Sequence, residues 1–265
     1  METNYYKVFL VRLATVGLLV RCCLAAEPEA NAVVERLLAE SGKVKSIQCE
    51  IRRETEAEGG SMSFLSRVWY ERPDRLKVEM ALPEQRRIVA DGKGIFKWIE
   101  GQDRGVRIPI EDAPPGEMIQ VRRVPGTADE QLFRIREYPE RALPPSDGFP
   151  VRRAYEPPPP HPYTILSLDA TGRLARLEFF GSPAATNRLL CTQYEGWREA
   201  KPGIWISCLQ KTEARGRDGT QVRETLRVNS LIVNEPMAPG TFDAGAQAPG
   251  VRFLSPLEAE ESIKK

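Results

Sequence analysis

One stretch limits what this chain can become more than any other: Phe64-Leu65-Ser66-Arg67-Val68-Trp69-Tyr70, the corner Glu71-Arg72-Pro73-Asp74, then Leu76-Lys77-Val78. Phe64, Ser66, Val68 and Tyr70 fall on one side of an extended chain, and Leu65, Arg67 and Trp69 on the other. A period of two with unlike sides predicts antiparallel sheet whose faces meet different surroundings. Pro73 offers no N–H to a ladder, so it belongs at the corner between strands. Ten residues further on, Ile88-Val89-Ala90-Asp91-Gly92-Lys93-Gly94-Ile95-Phe96-Lys97-Trp98 repeats the pattern around Asp91-Gly92, a pair suited to a tight hairpin turn. A meandering sheet is therefore expected to run through this part of the chain.

Similar punctuation continues to the C-terminal end. Ile47–Arg53, Val106–Ile110, Tyr163–Leu168, Leu174–Phe180, Leu189–Tyr194, Ile204–Thr212 and Val222–Val233 read as further strands, about ten in all at the spacing of a sandwich or barrel. Ala30, Val33, Val34, Leu37 and Leu38 recur at helical spacing over residues 29–41, with Gly42 as a stop. Two short helices are expected within 114–137: one opened by Pro114-Pro115 and one by Thr127 as N-cap, with Leu132, Phe133 and Ile135 as its apolar side. Residues 139–162 carry so many prolines, ending in Pro157-Pro158-Pro159-Pro160-His161-Pro162, that they read as an extended surface loop. Residues 256–265 read as a charged, frayed tail.

The first 26 residues have the grammar of a secretory signal: Lys7 and Arg12, the apolar run Leu13–Val20, and small residues at Ala25 and Ala26 before Glu27-Pro28-Glu29. Cys22 and Cys23 raise a lipoprotein signal as a rival, but Arg21 occupies the place where a small residue is needed. An uncleaved membrane anchor is the alternative to export. Beyond this segment lie Cys49, Cys191 and Cys208; Cys191 and Cys208 flank a hairpin and are a candidate disulfide in an exported protein, with three buried thiols as the other reading. A formal net charge of +1 on 265 residues removes the usual argument for a nucleic-acid partner. No zinc spacing, phosphate loop, nucleotide fingerprint or nucleophile elbow occurs. The lone His161 sits among prolines, and Glu50, Glu54, Glu56 and Glu58 are explained as outward residues of a strand. The sequence thus gives no catalytic site, metal site or cofactor.

Several phrases in this order resemble the outer-membrane lipoprotein carrier (LolA-like) superfamily. They are Val68-Trp69-Tyr70-Glu71-Arg72-Pro73-Asp74-Arg75-Leu76, Ile88–Lys93 with Phe96 and Trp98 after it, Leu168-Asp169-Ala170-Thr171-Gly172-Arg173-Leu174, and Val233-Asn234-Glu235-Pro236 followed by Thr241-Phe242-Asp243. The likeness covers nearly all of residues 27–255, read as one domain. It implies a mainly β (α+β) fold, an incomplete and strongly curved antiparallel β-barrel with helices covering its concave apolar face. It also implies a non-enzymatic periplasmic or secreted monomer that carries lipoprotein acyl chains or other lipids, with membrane proteins of the envelope as further partners. An envelope sensor or protein-binding module without lipid cargo is the alternative. By the same resemblance Arg72 is the latch of the helical lid, and its fork suits helix-end carbonyls. Apolar positions expected to line the cavity are Trp69, Val78, Ile88, Phe96, Trp98, Met118, Leu132 and Phe133. The proline-rich 139–162 segment and the arginines around residue 72 depart from the family pattern.

Overall fold

The computed structural model describes residues 31–216 and 219–263. The signal segment and its cysteines lie outside the described residues. Fourteen strands form a single sheet that does not close, in the order β14-β6-β5-β4-β3-β2-β1-β13-β12-β11-β10-β9-β8-β7. The central strands are long: β1 (Ser46–Ala57), β2 (Gly60–Glu71), β11 (Arg188–Lys201), β12 (Ile204–Arg215) and β13 (Gln221–Val233). On one side follow β3 (Arg75–Leu82), β4 (Arg86–Asp91), β5 (Gly94–Ile99) and β6 (Arg104–Pro109). On the other are β10 (Leu174–Phe180), β9 (Tyr163–Leu168), β8 (Val151–Tyr155) and β7 (Glu140–Leu143). Every neighbouring pair is antiparallel except β14 (Arg252–Leu254), which lies parallel to β6. The fold is an incomplete curved barrel, as the resemblance implies.

Alternation in β2 sets the two faces. Val68 and Tyr70 are buried, whereas Trp69 between them points to the other side, with the Lys77 ammonium 4.6 Å from the centre of its ring. The inner face carries two apolar cores. The first joins Ile47, Cys49, Val68, Tyr70, Leu76, Ala90, Ile95, Ile206, Leu226 and Val228 to Val121 of α2 (Pro115–Arg122). The second packs Val34 of α1 (Ala32–Gly42) and Leu132 and Ile135 of α3 (Asp129–Ile135) onto Tyr155, Leu166, Leu177 and Tyr194 of β8 to β11. Three short helices therefore cover the concave face, with α2 over one half and α1 and α3 over the other. The outer face is apolar locally, where Val89, Phe96 and Trp98 are covered by Ala244 and Ala248 of the C-terminal segment and by Phe253 of β14. That segment includes two more helices, α4 (Ala244–Gln247) and α5 (Pro256–Ile263).

Several expectations need correction. Residues 139–162 are not a loop throughout: they supply β7 and β8, which extend the sheet, and Ala154 and Tyr155 are fully buried. The connection 144–150 and the stretch 156–162 keep the irregular character that the prolines suggested. The expected frayed tail is helix α5 from Pro256 to Ile263. Ala128, not Thr127, is the N-cap of α3, and the Thr127 hydroxyl instead donates to the Val124 carbonyl at 2.9 Å. Cys191 and Cys208 are not bonded, and Cys49, Cys191 and Cys208 are all free thiols. Cys191 pairs across the ladder with Glu213, five positions from Cys208, so about 16 Å of strand separates the two sulfurs' anchor points.

Candidate functional site: a polar clasp beside an apolar cavity

β2 ends at Glu71, and the Arg72-Pro73 corner delivers the Arg72 guanidinium into the space between α1 and α3. Its Nε donates to the Val44 carbonyl at 2.8 Å. One terminal nitrogen donates to the Ser41 carbonyl at 3.3 Å and to Asp129 Oδ2 at 2.8 Å. Ser41 lies in the last turn of α1, where carbonyls have no partner within the helix. Asp129 opens α3, where a carboxylate also suits the positive end of the helix. A single side chain thus joins the end of α1 to the start of α3. Asn234 holds the same α1–β1 connection from the opposite side: its Oδ1 accepts from the Lys45 and Ser46 N–H groups at 2.7 and 3.2 Å, and its Nδ2 donates to the Lys43 carbonyl at 2.8 Å.

This pair is deeply set. Asp129 is 4% exposed, and its second oxygen, Oδ1, is buried without a hydrogen-bond partner. Nearby, the Tyr70 hydroxyl donates to the Arg122 carbonyl of α2 at 3.3 Å. Burial pushes the Tyr70 phenol up to about 12, against a smaller opposing pull from Arg72. At the other ends of the two helices, Glu35 of α1 pairs with Arg136 just after α3, and Asn31 donates to the Arg136 carbonyl. α2 has its own polar ties to the sheet, Lys97 to Glu117 and Arg122 to Asp74.

Beside the clasp opens a cavity of about 250 Å³. Leu37, Glu40 and Ser41 of α1, Ala128, Asp129 and Leu132 around the start of α3, and Leu174 at the start of β10 bound it. Trp197 and Trp205 of the β11–β12 hairpin complete the apolar wall, and Arg36 and Arg173 stand with Thr171 and Gly172 at its rim. The Trp197 indole N–H is buried and has no acceptor.

Of the eight positions expected to line a cavity, Leu132 alone reaches this one. Val78, Ile88 and Met118 do share the concave face, packed against the first core as filling rather than wall. Trp69, Phe96 and Trp98 lie on the opposite face: Val89 and Phe96 are ladder partners, and Trp69 opposes Lys77, which opposes Val89. Phe133, on the outward side of α3, is 53% exposed. The expectation put residues of both strand parities on one face, whereas the period of the strand places Phe96 and Trp98 away from Ile95. Missed entirely were Trp197 and Trp205, whose hairpin was legible but whose approach to α1 depends on the tertiary fold. Groups of His, Cys, Asp and Glu able to hold a metal are absent among the described residues.

No family model matches the sequence, and no curated protein matches it significantly. Solved structures do match. A LolA superfamily protein from Nitrosomonas europaea superposes with a TM-score of 0.51 at 13% identity, covering 80% of this chain and 98% of that one. A lipoprotein-sorting domain from Vibrio parahaemolyticus, so described provisionally, gives 0.50 at 14% identity over 81% and 99%. The chain has a LolA-like fold. A DUF1329 family protein from Desulfovibrio piger is similar to the same degree, with a TM-score of 0.53 at 10% identity over 81% and 95% of the two chains. No described helix is long and apolar enough to cross a membrane.

Proposed function

We propose that this protein is a non-enzymatic carrier of the bacterial envelope that takes up an acyl chain beneath α1 and α3, exported by its N-terminal segment to the periplasm. The observation that carries the reading is the adjacency of the cavity and the clasp. Apolar walls from Leu37, Leu132, Leu174, Trp197 and Trp205 meet a lid whose two helices are joined by the Arg72–Asp129 pair. Ligand clefts usually measure about 300–1,000 Å³, and the cavity of about 250 Å³ lies just below that range, so a whole acyl chain needs α1 and α3 to part. Opening then means parting α1 from α3, and Arg72 is the latch that yields. Lipoprotein sorting, the provisional description of the Vibrio domain, is a role compatible with this design.

Native mass spectrometry of protein purified from the envelope, followed by uptake of a fluorescent fatty-acyl probe after delipidation, tests the reading. One bound lipid and saturable uptake of one probe per chain are expected. A protein that carries no lipid and takes up no probe would sink it. The alternative, an envelope protein-recognition module, draws support from the inner face being filled by the first core and from the exposed Phe133. It predicts no probe uptake and capture of an envelope protein that is lost in Phe133→Glu.

A further inference from the structure

The rim of the cavity carries two arginines that form no ion pair among the described residues, beside the Asp169 carboxylate, which accepts from the backbone N–H groups of Thr171 and Arg173. Arg36 donates to the Gly172 carbonyl at 2.9 Å and has no carboxylate partner among the described residues. The Arg173 guanidinium sits 3.5 Å above the centre of the Trp205 ring, also without an ion pair among the described residues. The acids on the same cavity are already matched. Glu40 pairs with Lys43 at 2.6 Å, and Asp129 with Arg72 at 2.8 Å. Two cations are left over, one on helix α1 and one in the β9–β10 turn, and Arg36 reaches that turn at Gly172, the neighbour of Arg173.

From this charge balance, and resting on the acyl-chain reading above, we infer that the cavity selects single-chain amphiphiles with an acidic head, a carboxylate or a phosphate monoester. Arginine presents its donors as a planar fork that matches both groups in a two-point contact. Trp205 holds the plane of Arg173 fixed, which lowers the entropy lost when an anion docks. At a mouth flanked by apolar walls the attraction is stronger than in open water. The unpaired Trp197 N–H adds a neutral donor on the same wall. The unpaired acceptor, Asp129 Oδ1, shares its charge with Arg72 and so leaves the balance positive. A cavity of about 250 Å³ accepts the end of one chain, not a cluster of chains.

The test compares ligands of one chain length by isothermal titration on the delipidated full-length mature protein. Dodecanoate and dodecyl phosphate are expected to bind at least about tenfold more tightly than dodecanol, a difference of about 1.4 kcal/mol. That ratio should fall at least about threefold in about 0.5 M salt, and should approach one in the Arg36→Gln/Arg173→Gln variant. Acetate and inorganic phosphate should show no binding in the same range. If all three dodecyl ligands bind equally, or the preference ignores salt, the acidic-head inference fails while the acyl-binding function survives. If inorganic phosphate binds as well as dodecyl phosphate, the site is a plain anion site and the inference is overturned. If no dodecyl ligand binds at all, both fail together.

Discussion

Arg72 is a half-buried cation whose only carboxylate partner among the described residues, Asp129, is almost wholly buried. Removing one member of such a pair strands the other charge, which costs about 3–5 kcal/mol when both are fully buried. The Arg72 side chain keeps 27% of its surface in water, so Arg72→Leu should cost less, about 2–3 kcal/mol in urea unfolding. The Arg72→Leu/Asp129→Leu variant should lose clearly less than the two single changes summed, because no orphan charge remains. Strict additivity would show that the two do not act as a pair. Arg72 could be picked out because the resemblance marks the arginine before the corner proline; spacing alone does not separate it from an exposed strand-end arginine. Asp129 could not, since it reads as an ordinary acid in a first helical turn and meets Arg72 only across 57 residues of chain. A second prediction concerns Cys49, whose thiol burial pushes up to about 12, helped by nearby Cys208. The unfolded thiol loses its proton near its ordinary value, so above about pH 9 the unfolded state binds fewer protons than the folded one. Stability should therefore fall from about pH 9 to about pH 12, by up to about 1.4 kcal/mol per unit from this group. Urea titrations in Cys49→Ala should show a shallower fall, leaving the contributions of Tyr70, Cys191, Cys208, Tyr155 and Tyr194, which burial also raises and which have the same sign. An unchanged slope would remove Cys49 from the account.

The segment between α2 and α3 is where the helical cover is pinned to the sheet. Gly126 has φ near +77°, and a β-carbon there would lie 2.4 Å from Ile206 Cγ2 and 2.9 Å from the Ser207 carbonyl oxygen. Its own carbonyl accepts from the Ser207 N–H at 3.3 Å. Gly126→Ala must both strain the backbone and push the α2–α3 connection off β12, so a loss of about 2–4 kcal/mol is expected. Gly116, inside α2 with open space around it, is the control: Gly116→Ala should raise stability by about 0.5–1 kcal/mol. Thermal unfolding of the two variants should shift the melting temperature in opposite directions. The helices themselves were readable, because α1 shows an unbroken apolar stripe and Pro115 marks the start of α2. Strands β7 and β8 were hidden by the composition of 139–162: proline counts describe the whole segment, while five residues, Val151–Tyr155, decide that it pairs with β9. The thiol pairing failed for a similar reason. Cys191 and Cys208 stand on neighbouring strands, but only the register shows that they stand far apart along them.

Closure of the molecule depends on its last residues as much as on its lid. β6 would be an exposed sheet edge if β14 did not lie along it in parallel, with Arg252, Phe253 and Leu254 opposite Arg104, Gly105 and Val106. Phe253 meets Phe96 and Trp98 edge-on, at centroid distances of 5.1 and 5.8 Å. Gly105 makes room for it: a β-carbon there would lie 2.8 Å from the Phe253 ring. The aromatic residues that sequence reading assigned to a lipid cavity thus serve a second, outward-facing cover, which the resemblance to a single-cavity carrier gave no reason to expect. An unpaired edge next to a bare aromatic patch is a ready template for association between chains. Deleting residues 252–265 should therefore raise binding of a hydrophobic dye and promote concentration-dependent association in sedimentation, even where the far-ultraviolet spectrum stays sheet-like. Phe253→Ala should do the same more weakly, at a stability cost of about 2 kcal/mol for a partly buried ring. Acyl uptake offers the decisive contrast: the Phe253 side of the sheet faces away from the cavity, so Phe253→Ala should leave probe affinity within about twofold of the full chain. If uptake collapsed with Phe253→Ala while the fold persisted, the ligand would belong on the Trp98 face, and the cavity beneath α1 and α3 would lose its assigned role.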